Sequence, residues 1–353
     1  MNILLITHHW PPISHHSKSS GYEKFAYYLA VNNKVTVLTG GINNTEKKLQ
    51  KNLVLITRKI PMTNFFFEKR MFLSYHALRL NKDFDIAHAL YSDVGLFPAF
   101  KYPTIVTEHT LKEIEHTYWM QYKSILQKIT YPQARLIIAV SGNLKEVLRK
   151  KYGLENKVIT IPHGIDTKIF YPRCLTKQMI AYKKQVLGNY KFLCFSCGVQ
   201  GIDSQAFVNI ARLFRQILFI VVGRKENTYL PNVMQPGNIS EKKLIEYYSL
   251  ADFCFKPLIF ATANNALLES MAMGKVTITN KIPGVVDYLD DTCAYLSPTV
   301  SDFANLFERV INNSIEVKAR GRQARKKVEK EFSWEVITPK IIKAYQQVLK
   351  NSI

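Results

Sequence analysis

The segment 256–284 contains residue types that could bind a phosphate and a neighbouring ribose. Asn264 and Asn265 can cap a helix start, and Gly274 is typical of a helix end. A helix N-terminus favours an anion, because free N–H groups and the helix dipole both act there. Glu269 would lie about one turn inside that helix, where its carboxylate could reach two adjacent ribose hydroxyls. The spacing therefore predicts a nucleotide site, although a capped helix packed on a sheet has the same pattern.

Positive charge for such a phosphate could come from three residues near the ends of predicted strands. Arg224 and Lys225 follow the strand predicted at 217–222, and Lys256 follows the one at 251–255. Ligands of doubly wound sheets bind beyond the carboxyl ends of the strands, so all three lie at the expected ligand edge. Each could equally be a solvated surface cation, and the sequence leaves both interpretations open.

Gly21 and His109 are the candidate site residues in the first half of the chain. Gly21 ends a proline-containing loop that follows a strand predicted at 2–7, and a glycine there lets the backbone approach a phosphate or a sugar closely. His109 comes just after a strand predicted at 104–107. The first loop also carries histidines, but no carboxylate or cysteine completes a metal-binding spacing, so we expect no metal at His8, His9, His15 and His16.

The elements that would position these residues alternate between strand and helix along the whole chain. A strand, a loop, a helix (22–31) and a second strand (34–39) open the sequence, an order that implies a parallel sheet with a right-handed crossover. A strand predicted at 191–197 opens a second series of the same kind, in which 231–240 is interpreted as a loop and 241–249 as a helix. The pattern predicts two α/β halves.

Four passages resemble the family-4 retaining glycosyltransferases. The helix carrying Glu269 is similar to their nucleotide-sugar motif, and residues 20–23 match their Gly-Gly-x-Glu motif except for its first glycine. Pro162, Gly164, Asp166 and Phe170 match the passage between their two domains, and 332–335 (Phe-Ser-Trp-Glu) match their closing signature in full. The resemblance covers nearly the whole chain.

This resemblance implies an α/β, GT-B fold with two Rossmann-like doubly wound domains facing a central cleft. The implied N-terminal acceptor-binding domain is 1–166, and the nucleotide-sugar-binding domain is 167–334. A C-terminal helix at 335–353 would cross back to the first domain.

The implied function is transfer of a sugar from a nucleotide-diphosphate sugar to a cell-envelope glycan or lipid-linked acceptor, with retention of configuration and without a cofactor or metal. Its catalytic residues would be His109, which matches a family histidine beside the transferred sugar, and Gly21. The donor-binding residues would be Glu269, Asn264, Asn265, Ala266, Leu267, Lys256, Arg224, Gly198 and Gly237.

Two departures from the family pattern keep other functions open. Ala261 stands where the motif has its first glutamate, and the loop 198–203 lacks the arginine and lysine that pair with the donor phosphates. A catalytically inactive GT-B partner subunit is therefore one alternative, and a nucleotide-sugar epimerase is another. Nucleic-acid binding is disfavoured because no recognised motif accompanies the charge.

The net charge of +21 favours anionic partners and is spread over both halves of the chain. Segments 65–80 and 118–131 combine aromatic and basic residues, so each could be a core helix or a surface that docks on anionic lipid. The five scattered cysteines and the absence of an export signal favour a reducing compartment. We therefore expect a cytoplasmic protein, with peripheral docking on the inner face of the plasma membrane as a further expectation.

Overall fold

A computed structural model describes residues 1–8, 10, 21–60, 66–112, 114, 118–198 and 200–351. For 66–69, 118–119 and 122 it describes the backbone alone. The expectations for Ser20, His9, His15, His16 and Phe65 lie outside the described residues. The chain divides into two compact units, one formed by Met1–Gly164 with Trp334–Ile353 and the other by Ile165–Ser333.

The first unit contains, within its described residues, an eight-stranded sheet. Every neighbouring pair is parallel except the edge strand β3, which runs antiparallel to β4. In spatial order the strands are β3 (Thr45–Gln50), β4 (Leu53–Lys59), β2 (Lys34–Gly41), β1 (Asn2–Ile6), β5 (Ile86–Ala89), β6 (Thr104–Glu108), β7 (Leu136–Ala139) and β8 (Val158–Thr160). Its helices are α1 (Gly21–Leu29), α2 (Phe66–Leu78), α3 (Tyr118–Gln133), α4 (Gly142–Tyr152) and α11 (Trp334–Lys350).

The last helix, α11, belongs to the first unit because its apolar face completes that unit's core. Phe25 of α1 stacks on Trp334 with ring centroids 5.3 Å apart, and both side chains are buried. An added Cβ at Gly164 would collide with the Trp334 ring, so the end of the first stretch of chain and the start of α11 pack against each other closely. Glycine is the residue that this approach allows.

The second unit contains, in the part that is described, a six-stranded parallel sheet. Its spatial order is β11 (Val233–Gly237), β10 (Ile217–Val222), β9 (Phe192–Cys197), β12 (Phe253–Lys256), β13 (Thr277–Asn280) and β14 (Tyr295–Ser297). Its helices are α5 (Lys177–Leu187), α6 (Ser204–Leu213), α7 (Glu241–Leu250), α8 (Asn265–Ala272), α9 (Phe303–Asn312) and α10 (Ser314–Glu331). Apolar clusters lie on both faces of this sheet.

The prediction of an α/β chain with two Rossmann-like parallel sheets is confirmed. The interpretation of 231–240 as a loop is wrong, because β11 occupies Val233–Gly237. Pro236 lies inside β11, which is an edge strand, and an edge is where a sheet tolerates a residue without an N–H. The sequence pattern also does not predict α5. This helix has no buried residue, so its apolar residues show only a weak helical periodicity.

Candidate functional site

Three predicted donor residues lie where strands of the second sheet end. Gly198 follows β9, Arg224 comes two residues after β10, and Lys256 is the last residue of β12. Because β10, β9 and β12 are neighbouring parallel strands, their carboxyl ends lie together at one edge. This edge is the ligand side of a doubly wound sheet.

Lys256 lies directly under the Gly198 backbone. Its ammonium Nζ donates to the carbonyl oxygen of Cys197 at 2.6 Å, and the side chain is buried. A Cβ added at Gly198 would lie 2.7 Å from Nζ and 4.0 Å from the Cβ of Ala266 in α8. Gly198 has a φ of 103°, which a residue with a side chain rarely adopts. The end of β12, the loop after β9 and the first turn of α8 therefore converge on one point.

Arg224 shapes the same loop through contacts that use its whole guanidinium. Nη1 donates to the Gly198 carbonyl at 3.0 Å, Nη2 donates to Ser196 Oγ at 2.9 Å, and Nε pairs with the buried Glu226 carboxylate. Burial lowers the pKa of Arg224, and the hydrogen bond and charge of Glu226 oppose that shift. Its contacts make Arg224 a brace for the Gly198 loop.

The N-terminus of α8 begins at the cap that the sequence predicts. The Asn264 side chain accepts a hydrogen bond from the Ala266 N–H at 3.1 Å, and the Asn264 carbonyl accepts from the Leu267 N–H at 3.0 Å. The side chain of Leu267 is fully buried in the core, whereas Asn265 is exposed. The backbone N–H groups of Ala266 and Leu267, which the sequence predicts as anion donors, are therefore already hydrogen-bonded to Asn264.

Glu269 lies in the second turn of α8, where its carboxylate meets a buried tyrosine. Tyr248 of α7 donates from its hydroxyl to Glu269 Oε2 at 3.0 Å and to the Ala266 carbonyl at 3.3 Å. Burial raises the pKa of Glu269 to about 7, although the Tyr248 hydrogen bond and the Lys256 charge act in the opposite direction. Burial also lowers the pKa of Lys256 to about 8. Both groups therefore change charge near neutral pH.

A small cavity beside Lys256 and Tyr248 has room for about one water molecule. It is lined by residues of β9, β12, α7, α8 and β13, namely Phe195, Cys197, Tyr248, Cys254, Phe255, Lys256, Ala266 and Thr277. Gly237 is exposed at the end of the edge strand β11, with a φ of 75°. Ala261, which stands where the family motif has its first glutamate, is buried.

In the first unit, the residue before His109 organises the end of β6. The Glu108 carboxylate is fully buried and accepts from the backbone N–H groups of His109 at 3.0 Å and Thr110 at 3.3 Å. It also accepts from three side chains on one face of α3, namely Lys123 (2.6 Å), Gln127 (2.9 Å) and Tyr131 (2.8 Å). Burial acts to raise the pKa of Glu108, but Lys123 and the hydrogen bonds outweigh it and lower that pKa.

The His109 ring is held through both of its nitrogens. Nε2 lies 2.8 Å from the carbonyl oxygen of Leu90, and a carbonyl can only accept, so Nε2 carries a proton. In the neutral ring Nδ1 is then the acceptor for His163 Nε2, 2.9 Å away. The Tyr22 hydroxyl also contacts the ring. Gly21 is the first residue of α1, so its helix start brings Tyr22 to His109.

A buried ion pair supports the other side of the His109 ring. Arg70 of α2 pairs with Asp93, and its Nη2 lies 2.9 Å from His8 Nε2 after β1. The Tyr91 ring lies between, with centroids 4.2 Å from His8 and 4.6 Å from His109. Burial lowers the pKa of Arg70 to about 9. The carboxyl ends of β1, β5, β6 and β8 therefore share one cluster of imidazoles and phenols.

Sequence reasoning missed Tyr248, Glu108 and His163. The spacing of Lys123, Gln127 and Tyr131, each four residues from the next, places three polar groups on one helix face and was a usable signal for a buried polar partner. His163 lies between Pro162 and Gly164, two residues that match the family's passage between its domains, but the histidine itself is not part of that match. Tyr248 gave no signal, since a tyrosine in an amphipathic helix is an ordinary core residue.

Among the residues that the structure describes, no group of three or more histidine, cysteine, aspartate or glutamate side chains could hold a metal ion. In the same residues no helix is both long and apolar enough to span a bilayer.

Two family models match the chain, one in each unit. The model for Glycosyltransferase Family 4 matches residues 23–169, and the model for Glycosyl transferases group 1 matches residues 204–313. The chain is 25% identical over 251 residues to the capsular polysaccharide biosynthesis glycosyltransferase CapM of Staphylococcus aureus. That match covers 65% of this chain and spans 66% of the length of CapM.

Solved structures share the fold over almost the whole chain. Sucrose-phosphate synthase from Thermosynechococcus elongatus has a TM-score of 0.84 at 18% identity, with 99% of each chain covered. Anabaena HepE, solved in complex with UDP-glucose, has a TM-score of 0.76 at 14% identity, with 98% of this chain and 100% of HepE covered. The architecture is that of the GT-B glycosyltransferases.

Glu108→Gln should lower the free energy of unfolding by about 3–5 kcal/mol, because it removes the charge paired with the buried Lys123 ammonium. The control is Glu146→Gln, which removes an exposed partner of Arg149 and should cost at most about 1 kcal/mol. Urea unfolding of both variants checks the difference. Equal midpoints for the two variants would show that the Glu108 network does not hold the end of β6.

Proposed function

We propose that this chain, which matches the models for Glycosyltransferase Family 4 and Glycosyl transferases group 1, transfers a sugar from a nucleotide-diphosphate sugar to a cell-envelope glycan or lipid-linked acceptor. The observation that carries the proposal is the convergence of Gly198, Lys256 and the Glu269-bearing helix α8 at the carboxyl ends of the second sheet. CapM supports the acceptor class, since it acts in capsular polysaccharide biosynthesis. HepE, solved with UDP-glucose, supports the donor class.

The donor would lie along α8 in the second unit. Glu269 would accept hydrogen bonds from two ribose hydroxyls in place of Tyr248, while the backbone of Gly198 and the start of α8, at Asn264–Leu267, would face the diphosphate. Gly237 would contribute exposed backbone at the end of β11, beside the base. In the first unit, Gly21 and His109 would border the acceptor and the transferred sugar.

Sugar transfer requires the site to stabilise the departing diphosphate. The bond between the sugar C1 and the diphosphate oxygen breaks, and its electron pair leaves with the diphosphate. The acceptor oxygen bonds C1, and its proton passes to the departing diphosphate, which has gained the electron pair. Negative charge grows on the diphosphate, so fixed positive charge and N–H dipoles at the start of α8 lower the barrier most. We propose that side chains supply this charge without a metal, and that the anomeric configuration is retained.

Glu269→Gln should weaken the affinity for a nucleoside diphosphate about ten- to hundredfold, because ribose hydroxyls lose a charged acceptor. Calorimetric titration with UDP, ADP and GDP measures this. Glu246→Gln is the control, since Glu246 is a partly exposed carboxylate of α7 that pairs with Lys243.

Two outcomes would contradict the proposed function. If none of the three nucleotides binds the wild-type chain, the inactive partner subunit becomes the better account. If a nucleotide sugar is converted to its epimer without any acceptor, the chain is an epimerase.

We further propose that the chain works in the cytoplasm on the inner face of the plasma membrane, where the first unit docks on anionic phospholipid. The helices α2 and α3 both pack on the turn Pro98–Phe100. Apolar side chains on all three are exposed by 40–62% of their surface, namely Phe72, Tyr75, Phe100, Ile125 and Ile129. The exposed cations Arg79, Lys101 and Lys128 lie on or beside these elements. Apolar area beside basic groups fits a bilayer with anionic headgroups.

Replacing Phe100, Ile125 and Ile129 together by serine should abolish co-sedimentation with phosphatidylglycerol vesicles at low salt. The matched control replaces Leu213, Val300 and Ile315 of the second unit, whose side chains are at least as exposed as the three replaced in the first unit. Binding should also fall as salt rises, because the attraction to the headgroups is screened. Failure of the wild-type chain to co-sediment, or equal binding by the two triple variants, would overturn the docking proposal.

A further inference from the structure

We propose that Lys256 is the cation that holds the donor's diphosphate. This inference rests on the nucleotide-sugar function proposed above and names the residue on which the affinity depends. Lys256 belongs to the core strand β12 and not to a loop, so its position is fixed before any ligand arrives.

The geometry places the ammonium where a phosphate on the ligand edge would reach it. Nζ lies 2.7 Å from the point that a Gly198 side chain would occupy, and Gly198 has no side chain there. An ammonium has three N–H donors, and the Cys197 carbonyl takes one of them at 2.6 Å. A phosphate approaching over the Gly198 backbone would therefore meet both this ammonium and the start of α8, because the Ala266 Cβ lies 4.0 Å from the same point.

The other candidate cations are less suited to the task. The loop 198–203 contains no lysine or arginine, and Lys225 is exposed. Arg224 has its guanidinium engaged by Gly198, Ser196 and Glu226, and breaking the pair with Glu226 would leave a buried carboxylate without its counter-charge. Lys256 can bind an anion without losing a salt bridge.

The charges around Lys256 fix the direction of its proton exchange. Cys197 on β9 and Glu269 on α8 favour its ammonium form, as does Cys254 on its own strand, whereas Arg224 opposes that form. Burial outweighs these contributions and lowers the pKa of Lys256 to about 8. A diphosphate adds negative charge beside Nζ and so raises this pKa again. Above pH 8, binding must then draw a proton from solution.

The size of the uptake follows from the protonated fraction of the free site. With a pKa of about 8, Lys256 is roughly three-quarters neutral at pH 8.5 and about one-tenth neutral at pH 7. We expect an uptake of about 0.7 proton per nucleotide at pH 8.5, where Glu269, with a pKa of about 7, is already ionised and exchanges little. The nucleotide's own phosphate titrates near pH 6, so it adds little at pH 8.5.

Calorimetric titration of the whole chain in two buffers of different ionisation enthalpy measures this number. The probe is whichever of UDP, ADP and GDP binds most tightly. Lys256→Met keeps the unbranched apolar stem of the side chain and removes its ammonium, so it should bind the probe about ten- to hundredfold more weakly and show no uptake. Lys275→Met is the matched control.

Lys275 is a second largely buried lysine whose pKa burial lowers, but its Nζ donates to the Ser249 and Ala251 carbonyls at 3.0 and 2.7 Å. It precedes β13, at the opposite end of the strands from Lys256. Its variant should therefore keep both the affinity and the uptake. A folded Lys256→Met with wild-type affinity, or loss of uptake in Lys275→Met, would overturn the proposal.

Nucleotide binding distinguishes this inference from the proposed function on which it rests. If a nucleotide binds the wild-type chain and a folded Lys256→Met binds it equally well, the role of Lys256 fails while the proposed function stands. If no nucleotide binds at all, the proposed function fails. Thermal melting of the two variants verifies that both are folded, and removal of a buried charge should not lower the melting temperature of either by much.

Discussion

The site in the second unit is organised around one buried ammonium group, that of Lys256. Transferring a charged group into a protein interior costs several kcal/mol unless it is paired or changes its protonation. Lys256 meets that cost in part through the Cys197 carbonyl and in part through a lowered pKa. Its surroundings follow from this: a glycine with a positive φ above Nζ, an arginine that holds the loop from the other side, and a glutamate on α8 that is itself partly neutral.

The first unit also buries a charged group, in this case the negatively charged carboxylate of Glu108. The Glu108 carboxylate is buried at the end of β6, and five hydrogen bonds from the backbone and from α3 satisfy it. The result is a fixed backbone at His109, whose ring is then bound by Leu90 and His163. In both units a buried charge at the carboxyl end of a parallel strand positions the residue that faces the ligand edge.

Much of this fold could be predicted from sequence, because buried parallel strands are continuous apolar runs and helices are marked by their caps. The cap at Asn264 is confirmed. The strand β11 could not be read, since Pro236 and Gly237 give the signal of a loop. Contacts such as Tyr248 with Glu269, or His163 with His109, join residues 21 and 54 positions apart and depend on packing that no local pattern encodes.

The most direct test is a crystal structure of the chain with the tightest-binding nucleoside diphosphate. We predict that a phosphate oxygen lies about 3 Å from Lys256 Nζ, above the Gly198 backbone, with the ribose hydroxyls on the Glu269 carboxylate. A diphosphate bound elsewhere, with Lys256 still bonded to the Cys197 carbonyl alone, would contradict the account.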